Sequence, residues 1–282
     1  MKNNLLSKHA KSFNWAGFFL SKEIYKKCSY LYDFCRTLDD IVDEDTALEI
    51  RKDKFRNFKL CFKDKDYSNL IIKNIWTLIE REKFSKKIVE DLFDGVESDL
   101  KEEVKINSKK ELIIYSYRVA GTVGLMMSKI LKVKNLSSFK GAVDLGIAMQ
   151  LTNIARDVVE DKRKNRSYIK HDFNSIKETI EMADSFYKSS FPAIKSVPIL
   201  SRFSIIVARR VYRKIGYEIL KKKNLDNYNN AGKVYVTNFG KIYETILSFY
   251  DLIKINFINH KEHLKKNEHL IIKEEINLDE RI

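Results

Sequence analysis

Proline is nearly absent from this chain, with two in 282 residues, and glycine occurs only nine times. A turn-rich β architecture needs more of that punctuation. No alternation of apolar and polar residues is sustained, so the period-two mark of half-buried strands is missing too. Cysteine is scarce: Cys28, Cys35 and Cys61 are odd in number and none forms a CxxC pair. That pattern argues against a disulfide framework or a zinc site and fits a reducing compartment. The opening MKNNLLSKHAKSF lacks the apolar core of a secretory signal. No apolar run approaches the roughly 18–20 residues that a membrane span requires. The expected location is cytoplasmic, with any membrane contact peripheral.

What is present is 44% apolar sequence with frequent helical periodicity. The expectation is an all-α bundle in one domain, over residues 1–258, followed by a charged tail over 259–282, helical or loose. Basic residues outnumber acidic ones by 53 to 39, a net charge of +14. This favours an anionic partner such as a diphosphate, lipid headgroups or nucleic acid. A lysine-rich solvated surface would give the same number.

The most informative stretch is Met149–Lys170, MQLTNIARDVVEDKRKNRSYIK. Gln150, Asn153, Asp157 and Asp161 stand at i, i+3, i+7 and i+11, which places them on one helix face. Leu151, Ile154, Ala155, Val158 and Val159 lie between them. Carboxylates in an apolar setting are costly unless paired or bound to a metal. A second such face occurs in YDFCRTLDDIVDED, with Tyr32, Arg36, Asp39 and Asp43 at i, i+4, i+7 and i+11, and Asp40 beside them. Two carboxylate faces across a cavity offer hard oxygen ligands. Such ligands suit magnesium, which keeps waters and takes substrate phosphates. The spacing therefore points to a phosphorylated substrate.

These stretches resemble the signatures of the squalene/phytoene synthases, the head-to-head branch of the trans-prenyltransferases. The first family motif, CRxxDDxxD, is matched by Cys35, Arg36, Asp39, Asp40 and Asp43. The second, QxxNxxRDxxED, is matched by Gln150, Asn153, Arg156, Asp157, Glu160 and Asp161. Further matches are HAKSF at His9–Phe13, Gly95 with Asp99, YSYRVAGTVG from Tyr115, and ARRVYRKIGYEIL in a late helix, so the likeness runs from about His9 to about Tyr217. Lys233 and Lys241 stand where the family commonly has Arg, and Lys lacks the bidentate fork.

The resemblance implies an isoprenoid-synthase helical bundle around a central cavity. It implies magnesium, with manganese as the alternative, held by Asp39, Asp43, Asn153, Asp157 and Asp161. Substrate contacts would come from His9, Ser12, Phe13, Tyr32, Arg36, Gln150, Asn153, Arg156, Arg163, Arg166 and Tyr168. Tyr115 joins the four aspartates as a catalytic candidate. Plainer readings stand beside these. Ser12 could cap a helix, Arg163 could sit at a basic helix end against the macrodipole, and Arg36 and Arg156 could pair with adjacent Asp.

The implied reaction joins two prenyl diphosphates through a cyclopropylcarbinyl diphosphate. AMQLTNIARDVVED reads closest to the branch making phytoene from two geranylgeranyl diphosphates, without NADPH. Squalene or dehydrosqualene from farnesyl diphosphate is the alternative. Small residues at Gly17 and Ser29 would leave depth for the longer tail, or would only permit helix packing. A product hydrocarbon would leave into a bilayer, so contact with an anionic membrane is expected. A reading of another class is a basic helical protein that binds nucleic acid or lipid, its acidic faces only salt-bridged. The two motifs favour the enzyme, with no nucleic-acid partner.

Overall fold

The structure, a computed structural model, describes residues 11–258 and 263–282. Thirteen α-helices are described: α1 Lys11–Gly17, α2 Lys22–Asp43, α3 Leu48–Lys63, α4 Leu70–Glu82, α5 Lys86–Glu97, α6 Lys109–Ser116, α7 Thr122–Ile130, α8 Leu136–Arg163, α9 Phe173–Ser190, α10 Ile199–Leu220, α11 Leu225–Asn230, α12 Asn238–Lys254 and α13 Lys266–Lys273. Their starts are written in the sequence. Ser21, Asn69, Ser85, Ser108, Asn135 and Asp172 each accept a hydrogen bond from a backbone N–H of the first turn. Such caps satisfy donors that the helix leaves orphaned. A turn over residues 64–69 separates α3 from α4.

The bundle is built around α8, whose 28 residues pack against α7, α9 and α10. Val143, Ile147, Ala148, Leu151 and Ala155 on α8 are fully buried. The helix is therefore walled on most sides, which explains its apolar sequence outside the one polar face. Its approach to α7 depends on glycine. A Cβ on Gly124 would lie 2.1 Å from the Ala142 carbonyl oxygen, and one on Gly146 would lie 2.2 Å from that of Ala120. The small residues of AGTVG thus serve backbone-to-backbone contact.

Between α6 and α7 the chain makes a π-helical turn, Tyr117–Gly121. Such turns shift the register of a helix face. Here Tyr115 faces the central cavity, whereas Tyr117 is buried with its hydroxyl donating to Asp91 at 3.2 Å. The only strand pairing among the described residues is a two-residue parallel bridge, β1 Val104–Lys105 with β2 Arg166–Ser167. It fixes the segment after α8, whose Asn165 has a left-handed φ of 56°.

The tail is ordered more than its composition suggests. Ile272 and Leu278 are fully buried, and Arg281 donates to both oxygens of Asp91 at 2.9 and 3.0 Å. Lys110 pairs with Glu274 at 2.5 Å and Lys87 with Glu280. Residues 263–282 are thus part of the helical domain, not a loose appendage. Their high charge misleads because much of it faces opposite charge on α5 and α6.

The centre of this docking is Asp144 of α8, fully buried. Its two oxygens contact His263 Nε2 at 2.7 Å and His269 Nε2 at 2.8 Å, and Ser189 Oγ donates to it at 2.6 Å. Three such ligands could suggest a metal. Ligand atoms around tetrahedral zinc stand about 3.3 Å apart, given bonds of about 2.0–2.1 Å. The observed separations are shorter and are hydrogen-bond lengths. The imidazoles hold the Asp144 carboxyl below its ordinary range, against the opposing effect of burial. Asp144→Asn should weaken this clasp by about 1–3 kcal/mol. The expected outcome is faster proteolytic loss of the C-terminal segment with unchanged helicity by circular dichroism. Equal cleavage rates in variant and parent would show that the clasp does not hold it.

Candidate active site

A cavity of about 790 Å³ opens between α2 and α8. From α2 it is lined by Tyr32, Arg36, Asp39, Asp40 and Asp43. From α8 it receives Gln150, Asn153, Arg156, Asp157 and Asp161. Tyr115 enters from α6, and Arg166 and Tyr168 from the segment pinned by the strand bridge. The two acidic faces read from the sequence therefore meet.

Their charges are matched unevenly. Asp43 accepts from Lys164 Nζ at 2.8 Å and Arg166 Nη1 at 2.7 Å, and this pairing lowers its pKa although burial opposes it. Asp157 is held by Arg156 in a two-pronged pair, Nε at 2.8 Å and Nη2 at 2.6 Å, with Lys233 at 3.4 Å. Among the described residues Asp39 and Asp161 have no such cation within ion-pair distance. Both are pushed up to about 7, first by burial and next by Asp43 and Asp157 respectively. The Asp39 carboxylate is open to the cavity, but protein walls the cavity round it, so it is reachable and poorly hydrated at once.

Further in, Asp99 is buried and accepts from Tyr115 and Tyr168, each at 2.8 Å. The two tyrosine rings stack with centroids 4.8 Å apart. Burial raises the Asp99 carboxyl and raises both phenols. The phenols therefore remain protonated and act as donors to Asp99.

An apolar tunnel of about 320 Å³ leaves the same cavity, sharing Tyr32, Asp39, Val119, Gln150 and Asn153 with it. Along α8 its wall is Ser138, Gly141, Ala142, Leu145, Gly146 and Met149. That stripe steps by three and four residues into Gln150 and Asn153. One face of one helix is thus small and apolar in its first half and acidic in its second.

Several expected positions fall elsewhere. Arg163 is exposed and does not line the cavity. It is the last residue of α8, and the chain turn that follows presents Lys164 and Arg166 instead. The plainer reading, a basic residue at a helix end, fits its place. Ser29 is buried on α2 with its hydroxyl donating to the Tyr25 carbonyl at 2.9 Å, and it lines neither space. Gly17 does line the tunnel, where an added Cβ would meet the Tyr25 ring at 2.8 Å. His9 lies outside the described residues. So do the side chains of Ser12 and Phe13, whose backbone belongs to α1.

Sequence reasoning underused Asp99, Lys164, Tyr212 and Lys233, which also line the cavity. Asp99 was signalled by the Gly95–Asp99 match alone. Tyr212 lies within the late-helix match ARRVYRKIGYEIL and Lys233 at a position where the family commonly has Arg, and the fold brings both to the cavity.

Magnesium fits this donor set. Among the described residues Asn153 Oδ1 is buried without a hydrogen-bond partner, and such a carbonyl oxygen beside carboxylates is a ready hard ligand. Asp39 and Asp161 carry charge that the protein leaves uncompensated. Because only ionised carboxylates bind, protons should compete with metal below pH about 7. Apparent magnesium affinity, measured by calorimetry, should fall as pH drops from 7 to 6, by up to about tenfold for each acid that must ionise. It should flatten in Asp39→Asn. A pH-independent affinity would contradict the assignment of Asp39 and Asp161 as ligands.

Known proteins resemble this chain over much of its length. The family model described as squalene/phytoene synthase matches residues 6–175. The 15-cis-phytoene synthase of Pantoea ananas is 26% identical over 260 residues, covering 78% of this chain and 84% of that protein. The corresponding enzyme of a Paracoccus species is 28% identical over 244 residues, covering 77% and 80%. Among solved structures, a dehydrosqualene synthase in complex with ligand superposes with a TM-score of 0.73 at 23% identity, covering 89% of this chain and 94% of that one. That likeness is one of fold. With its two aspartate faces meeting across one cavity, and a family model matching more than half its length, this chain belongs to the squalene/phytoene synthase family.

Proposed function

We propose that the chain condenses two geranylgeranyl diphosphates head to head to give phytoene, for carotenoid synthesis, with magnesium and without NADPH. The observation that carries this reading is the joining of the acidic cavity to the apolar tunnel along one face of α8. Such a space suits a diphosphate attached to a long hydrocarbon. From Asn153 back to Ser138 the lined face of α8 runs about 22 Å at 1.5 Å per residue, room for an extended twenty-carbon tail. The relatives named above as phytoene synthases support the product.

In this reading Asp39, Asp43, Asn153, Asp157 and Asp161 hold the metal. When bound, magnesium neutralises diphosphate charge and eases its departure. Arg36, Arg156, Arg166, Lys164 and Lys233 surround the departing group with donors. Among the described residues Arg36 Nε is buried without a partner on a residue lining the cavity, a donor left for phosphate oxygen. One diphosphate leaves and yields an allylic cation. The double bond of the second substrate attacks it, and loss of a first proton closes the ring to give a cyclopropylcarbinyl diphosphate. That intermediate loses its diphosphate, rearranges and loses one proton. Tyr32, Tyr115 and Tyr168 orient the reacting chains, and the apolar tunnel keeps water from the cation. Peripheral contact with an anionic membrane, favoured by the basic surface, belongs to the same proposal.

The purified enzyme should be assayed with geranylgeranyl and with farnesyl diphosphate, each with and without NADPH. Phytoene from the longer donor alone is the expected product. Turnover confined to the shorter donor, or squalene formed with NADPH, would reassign the chain. Asp39→Ala and Asp161→Ala should lower turnover in magnesium by at least about a hundredfold, the cost of losing a preorganised charge contact. Near-normal rates in the folded variants would remove those residues from the site. Gly17→Phe, which crowds Tyr25 in the tunnel wall, should reduce use of the longer donor more than the shorter. Equal losses would mean that Gly17 does not set tail length.

A further inference from the structure

Helix α12 is built inside out. Its buried positions are Lys241, Glu244, Ser248 and Asp251, all polar. Arg210 of α10 pairs with Glu244 at 2.9 Å and with Asp251 at 2.7 Å, so the charged face is the one locked to the protein. The opposite face carries Phe239, Ile242, Ile246, Phe249 and Ile253, at steps of three and four residues, with Tyr243 and Tyr250 alongside. All seven are exposed, Phe239 by 81% and Ile246 by 60%. An ordinary surface helix has the reverse arrangement. No rotation of α12 could hide these side chains without stranding Glu244 and Asp251.

The apolar face extends beyond the helix. Phe257 follows at 82% exposure, and Phe18 on the turn after α1 and Leu200 at the start of α10 stand at 73% and 81%. The pieces are in contact. Phe203 packs on Phe249 with centroids 4.5 Å apart and on Phe19 at 5.0 Å, and Trp15 donates to Thr245 at 3.0 Å. A contiguous patch of this size marks an interaction surface.

We infer that this face docks on the lipid bilayer by apolar insertion, and that the tunnel delivers its hydrocarbon product there. The inference rests on the reading of the tunnel as the prenyl-chain site. The supporting observation is continuity. The tunnel wall includes Gly17 and Leu20, the chain neighbours of exposed Phe18 and Phe19, Val197 two residues before exposed Ile199, and Ser204 next to Phe203, which packs on Phe249. The same two segments therefore line the tunnel on one side and carry the patch on the other. A water-insoluble product passing between them need not cross water. A second protein copy seated on this face would cover that route instead of receiving the product. Tyr243 and Tyr250 supply amphipathic rings of the kind that settle at a membrane interface. Insertion of this kind draws on buried apolar area and persists when salt screens the lysines.

The test is flotation of the full-length chain with neutral phosphatidylcholine vesicles at high salt, alongside sedimentation velocity without lipid. The parent should float and should sediment as one species. Ile246→Glu with Phe249→Glu should reduce flotation by at least about tenfold, with helicity and turnover in detergent retained. In a separate variant, Phe249→Trp, the emission should shift to the blue when vesicles are added. Absence of flotation on neutral vesicles, flotation unchanged in the double variant, or a stable dimer that the double variant breaks would each overturn the inference. Flotation does not depend on turnover. A parent that floats but makes no hydrocarbon would count against the proposed reaction and leave the lipid surface standing.

Discussion

Negative charge held in a low-dielectric bundle is the constraint on which the rest of this structure depends. Asp39, Asp43, Asp99, Asp157 and Asp161 converge on one cavity, and carboxylates so placed repel one another and lack full hydration. The fold answers with cations taken from distant parts of the chain. Lys164 and Arg166 arrive because the strand bridge turns the chain back at the end of α8, and Lys233 arrives from beyond α11. The peripheral elements can be read as the means of delivering countercharge to α2 and α8.

The same helix solves a second problem. A diphosphate and a long hydrocarbon need opposite surroundings within one continuous space. On α8 both are met by changing residue type along a single face, small and apolar from Ser138 to Met149 and polar from Gln150 to Asp161. Gly124 and Gly146 matter here for a reason separate from tail length. They let α7 approach α8 at backbone contact, and both glycines also border the tunnel. Close packing and open space are thus provided by the same residues.

The legible part of this protein was the part with local period. The two acidic faces, the helix starts and the all-α class follow from spacing within about four turns of helix, which the chain itself dictates. What could not be read depends on pairing at long range. Arg163 and Arg166 are equivalent in composition, and only the bend after α8 decides that one faces water and the other Asp43. Ser29 and Gly17 were alike as small residues on early helices, but only Gly17 borders the tunnel, whereas Ser29 is buried and bonds back to the Tyr25 carbonyl of its own helix. The charged tail looked loose because charge alone does not reveal whether Asp144 and Asp91 wait to receive it. Helix α12 shows the limit most clearly. Its periodicity gives two faces, but periodicity does not say which is inside until Arg210 is found opposite Glu244 and Asp251.

The uneven matching of charge in the cavity has a mechanistic meaning. Each acidic helix carries one aspartate already paired, Asp43 or Asp157, and one left without a cation, Asp39 or Asp161. In the proposed reading the unpaired ones would supply the initial attraction for a divalent ion. The paired ones hold Lys164, Arg166 and Arg156 in place beside the space where a diphosphate would lie. In the proposed reaction these cations would gain phosphate oxygens as partners while the carboxylates would hold the metal, and the cations would fall back on Asp43 and Asp157 once diphosphate has left. An arrangement in which all four aspartates were paired would bind metal weakly. One in which none was paired would carry too much charge to fold around an apolar tunnel.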